Sequence, residues 1–64
     1  MTPSNNDKRF IINIMLRLMR GNYTRNEERY AGLCAMRAVE WQNYWTADEW
    51  NIAMEFMEWY EARM

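Results

Sequence analysis

The 64-residue chain contains no histidine, one cysteine, one proline and two glycines. Each scarcity removes a class of function. With no imidazole and Cys34 as the lone thiol, there is no disulfide framework, no zinc site of the usual Cys/His kind and no histidine general base. Only Pro3, Gly21 and Gly32 are there to punctuate the chain, and no stretch alternates apolar and polar residues as a half-buried strand would. Long apolar runs are also missing. Asn13, Arg17 and Arg20 break up the longest candidate, which starts at Phe10, and a membrane-spanning helix needs about 20 apolar residues. A secretory leader fits poorly, because Asp7 sits in what would be its basic region and no small-residue cleavage site follows. The cytoplasm is the expected location. A chain this short holds one small domain, taken here as residues 1–64, and buries only about 60% of the surface that its unfolded form exposes.

What the chain does have is apolar bulk and divided charge. Half of its residues are hydrophobic, including four Trp, four Tyr, two Phe and seven Met, so disorder is excluded on composition. Residues 1–37 carry seven Lys or Arg against three carboxylates, a net +4, and residues 38–64 carry Arg63 against six carboxylates, a net −5. Such a split suits either two faces with different partners or a bundle whose basic and acidic helices neutralise one another, and the second is the simpler expectation.

Helix signals delimit three segments. Ser4-Asn5-Asn6-Asp7 precedes an apolar run and Gly21-Asn22 ends it in residues suited to a left-handed exit, which predicts a first helix over about 5–20. Thr24-Arg25-Asn26-Glu27 and Thr46-Ala47-Asp48-Glu49 both match the capping box, starting helices over about 25–44 and 47–63. Trp45 and Trp50 flank the second box at the spacing of a hydrophobic staple. The expected fold is an all-α, compact three-helix bundle, dimeric.

Dimerisation is expected because two helices are apolar over too much of their circumference. At 100° per residue the apolar arc is about 240° in the first helix and about 220° in the third, whereas a helix in a lone bundle needs a stripe somewhat wider than 100°. The second helix differs, with Ala31, Cys34, Ala35 and Ala38 forming a low face that admits a close neighbour. Cys34 reads as a small buried hydrophobe within it. Gly32 falls on the outer side, where it weakens the helix without an evident return. The surplus predicts one partner-binding face built from Ile12, Leu16, Met19, Ile52, Phe56 and Trp59, taking a second copy of the chain or a host protein.

The search for chemistry yields little. Carboxylate pairs at Glu27-Glu28 and Asp48-Glu49 lie in first helical turns, where the helix dipole favours negative charge, and Glu55, Glu58 and Glu61 form a solvated strip. No P-loop, dinucleotide turn, nucleophile elbow or metal-ligand spacing is present. No catalytic residue, metal ligand or cofactor is therefore expected, and the chain reads as no enzyme. A second class of function rests on Arg9, Arg17, Arg20, Arg25 and Arg29, which, with Tyr23 among them, suit phosphate and make a nucleic-acid-binding accessory protein the alternative. Against it stand the acidic third helix and the want of a helix-turn-helix pattern. In size and composition the chain resembles the small single-domain proteins of phages and mobile elements that bind a host protein. That resemblance implies an inhibitor or adaptor of a larger cytosolic machine and transfers no residue roles.

Overall fold

The computed structural model describes residues 2–63. Among them there is no strand. Four helices follow one another as α1 (Asn5–Arg20), α2 (Arg25–Glu28), α3 (Ala31–Glu40) and α4 (Ala47–Glu61), and none is long and apolar enough to cross a membrane.

Local sequence sets the helix ends. Ser4, Thr24 and Thr46 each accept the amide of the residue three ahead, and the carboxylates of Asp7, Glu27 and Glu49 reach back to the amides of those same caps. Gly21 closes α1 at φ 75°, in the left-handed region where a side chain would be strained. The Asn22 amide then returns to the Arg17 carbonyl at 3.0 Å and the Gly21 amide to that of Leu18 at 3.2 Å, the paired closure of a Schellman motif.

The expected second helix over 25–44 is not continuous. It breaks at Arg29-Tyr30, where the Tyr30 amide bonds three residues back to Glu27 at 3.0 Å and Tyr30 adopts φ −85°, ψ −1°. This tightened step turns the chain between a single capped turn, α2, and α3. Helix also stops at Glu40 rather than 44. The Gln42 amide bonds to Val39 instead of Ala38, and the carbonyl of Ala38 so released accepts the buried indole N–H of Trp45 at 3.1 Å. Trp45 is tucked under the end of α3 to make that bond, so residues 41–44 turn rather than spiral. Trp45 also packs edge-on against Trp41, with ring centroids 5.5 Å apart, while Trp50 at the other staple position is 37% exposed.

Side-chain contacts give the topology. Lys8 reaches Glu49 at 3.2 Å and the Tyr44 carbonyl at 3.0 Å, so α1 and α4 start side by side. Phe10 meets Tyr30 edge-on at 5.8 Å, and Cys34 Sγ lies 4.0 Å from the Ile11 carbonyl. The Tyr60 hydroxyl lies 3.8 Å from where a Cβ on Gly32 would stand, which sets the start of α3 beside the end of α4. The three longer helices therefore run up, down and up, with α3 antiparallel to both others. Met15, Leu18, Cys34, Ala53 and Phe56 are fully enclosed between them. Burial of each large side chain contributes about 1.5–3 kcal/mol. Among the described residues no charged side chain is buried and no buried side-chain polar atom lacks a partner.

Candidate interaction surface

Three seams run along this bundle, and their apolar borders differ. The α1/α4 seam carries the six residues that the sequence predicts as a partner-binding face. They do not form an open surface. Phe56 is 0% exposed and Ile12 8% exposed, both within the core, and Leu16, Met19, Ile52 and Trp59 are half-buried against it. Trp59 stacks on Phe56 at 5.5 Å, and the guanidinium of Arg63 covers its ring at 4.2 Å. These parts of the wide arcs of α1 and α4 are thus used within the bundle.

Open apolar side chains flank the α3/α4 seam instead, and others stand at Phe10, Tyr30 and Tyr44. Cys34, Ala35 and Ala38 turn the low face of α3 inward, so Met36 and Val39, three residues apart, are left outside that face. On α4, Trp50 and Met54 are four apart and share the flank that borders α3. Exposure of these four is 51% for Met36, 57% for Val39, 37% for Trp50 and 44% for Met54. The sequence places Trp50 and Met54 in the apolar arc of α4 but gives no role to Met36 and Val39. One signal could have found them: a helix that packs through alanines and a cysteine must leave its large apolar residues outside.

Charge is only partly neutralised between helices. Arg17 pairs with Glu27 at 2.6 Å and Lys8 with Glu49 at 3.2 Å, so α1 grips the capping glutamate of both α2 and α4. The Thr24 amide and then Arg17 hold the Glu27 carboxyl below its ordinary value of 4.5. Partial burial pushes Glu49 up, but the Thr46 amide and Lys8 together outweigh it and leave Glu49 below 4.5 as well. Arg37 pairs within α3, with Glu40 at 2.9 Å, and lies over Trp41 at 5.4 Å. Among the described residues Arg9, Arg20, Arg25 and Arg29 form no ion pair, nor do Asp48, Glu55, Glu58 and Glu61. Of the five arginines expected to form a basic surface, only Arg17 is occupied.

Burial pushes the Cys34 thiol up to about 12, far from a reactive thiolate at neutral pH. A cleft of about 120 Å³ lies between Pro3, Asp7, Arg37, Glu40 and Trp41, below the roughly 300–1,000 Å³ usual for a ligand pocket. Its polar groups are already engaged, Asp7 in the α1 cap and Arg37 with Glu40. Among the described residues no three Cys, Asp or Glu side chains gather as a metal ion would require. Comparison with protein-family models, with curated proteins and with solved structures finds no match to this chain.

Proposed function

We propose that this chain is a small non-enzymatic protein–protein interaction module that acts as an inhibitor or adaptor of a larger partner, with the α3/α4 seam as its contact face. The observation that carries the reading is that Met36, Val39, Trp50 and Met54 are left open along the flanks of α3 and α4. Trp anchors and adaptable Met side chains are characteristic of binding surfaces, and large side chains exposed together mark contact sites more often than chance. A homodimer is the simplest form of the same reading, with one copy serving as the other's partner. The test is a Val39→Lys/Met54→Lys variant. It should keep the helical spectrum and melting midpoint of the wild type, because both positions are exposed. It should also lose whatever self-association sedimentation detects and whatever specific partner a cross-linked pull-down from the source cell identifies. Unchanged association in both assays would overturn the proposal.

A nucleic-acid-binding role is the second reading, favoured by the unpaired Arg9, Arg20, Arg25 and Arg29 beside the exposed Phe10–Tyr30 pair. Phosphate contacts would make its affinity fall steeply with salt. A gel-shift titration at two salt concentrations, repeated on an Arg20→Gln/Arg25→Gln variant, decides it.

A further inference from the structure

We infer that the occupant of the α3/α4 seam is a cationic amphipathic helix of another protein, rather than a second copy of this chain. The inference rests on the reading of that seam as a protein-binding face. Its shape comes first. The small inward residues of α3 let the two helix axes approach closely. Gly32 faces Tyr60 of α4, and Met36 and Val39 follow it by four and seven residues, which puts them on the α4-side flank of α3, with Trp50 and Met54 exposed on α4. From Trp50 to the half-buried Met57 the α4 ridge runs about 10 Å, at a rise of about 1.5 Å per residue. That is two turns of a bound helix, the length over which an i, i+3/i+4, i+7 stripe makes its contacts.

The charge around the ridges selects the partner. Helix α4 holds Asp48, Glu49, Glu55, Glu58 and Glu61 and no Lys or Arg. Among the described residues only Glu49 of these is engaged by a cation of the chain. Glu58 and Glu61 follow Met54 by four and seven residues, so the face that begins apolar at Trp50 ends acidic, opposite Gly32, which offers no side chain to cover it. On α3, Glu40 follows Met36 by four and is already paired with Arg37. A two-fold contact between copies presents the same patch to itself. It would set the carboxylates of one α4 against those of the other, with no Lys or Arg on α4 to meet them. A partner whose apolar stripe is edged with Lys or Arg meets both needs together. Two methionines among four anchors make the seam tolerant of the partner's exact side chains, so the selection is for charge and pattern.

The experiment uses the full chain and three fluorescein-labelled peptides of about 18 residues. One places Leu and Lys in an amphipathic helical pattern, the second replaces every Lys by Glu, and the third scrambles the order of the first. Fluorescence anisotropy should show the first binding at least about tenfold more tightly than either of the others. Its affinity should drop several-fold in Glu58→Gln/Glu61→Gln, with a weaker salt dependence, and vanish in Val39→Lys/Met54→Lys at unchanged helicity. Equal binding of the scrambled peptide would mean charge attraction alone, and equal binding of the Glu peptide would mean no charge selection. Either result overturns the inference, as does failure of all three peptides to bind. Sedimentation separates this from the broader reading. A dimer that Val39→Lys/Met54→Lys dissolves would make the occupant a second copy, which defeats the inference and leaves the protein-binding reading in place.

Discussion

The two flanks of α4 are bordered by residues of similar hydrophobicity and meet opposite fates. On the α1 side Ile52, Phe56 and Trp59 are drawn into the bundle, and on the α3 side Trp50 and Met54 remain open. The difference lies in what the neighbouring helix brings. Helix α1 is sixteen residues long and presents Ile12, Met15 and Met19, which have the reach to cover a facing stripe. Helix α3 is ten residues long and presents Ala31, Cys34, Ala35 and Ala38, which allow close approach but have no bulk to extend over the residues beside the contact line. A small-residue face thus closes the core and leaves an open border in the same step.

Substitution at the two flanks gives the sharpest contrast. Phe56→Ala removes a fully enclosed ring and should cost about 3–5 kcal/mol in a denaturant titration, whereas Met54→Ala should stay within about 0.5 kcal/mol. Comparable losses at the two positions would erase the distinction between a sealed and an open flank.

Acid should act on the sealed flank next. Glu49 ties α4 to Lys8 of α1 and Glu27 ties α2 to Arg17, and both carboxyls are held below 4.5 in the folded chain. Their contribution to stability is complete above the unfolded value near 4.5 and is lost as pH falls through the lower folded values. Melting midpoints should therefore decline below about pH 4.5, and Glu27→Gln/Glu49→Gln should flatten that decline while lowering the midpoint at pH 7. Thr46→Ala, which removes only the cap hydroxyl, should cost about 1 kcal/mol at neutral pH. A midpoint indifferent to acid would show that these ion pairs do not hold α1 in place.

The open flank also offers a small gain in stability rather than a loss. Gly32 is exposed within α3, and its nearest non-local neighbour would stand 3.8 Å from an added Cβ, which is ordinary contact. Gly32→Ala should raise stability by about 0.5–1 kcal/mol through helix propensity alone. A loss instead would place the Tyr60 hydroxyl closer to α3 than the structure has it.

Much of the architecture could be read from the sequence, because the signals that start and stop helices are local. The Thr24 and Thr46 boxes, the Gly21 exit and the inward face of Ala31, Cys34, Ala35 and Ala38 need no knowledge of the rest of the chain, since each depends on residues within about one turn. The break at Arg29-Tyr30 and the early end of α3 were not legible in this way. The second depends on Trp45 returning to the Ala38 carbonyl, a bond seven residues long that leaves no trace in periodicity.

The same division governs the candidate site. From the sequence alone followed a surplus of apolar surface, a basic first part and an acidic last part. Which of the apolar residues stay outside was decided by the tertiary structure, because exposure depends on the size of what each helix meets. Phe56 lies opposite helices that enclose it, and Val39 lies outside the alanine face through which α3 packs. Hydrophobicity is a property of a residue, but burial is a property of its neighbours, and those neighbours are chosen only when the helices pack.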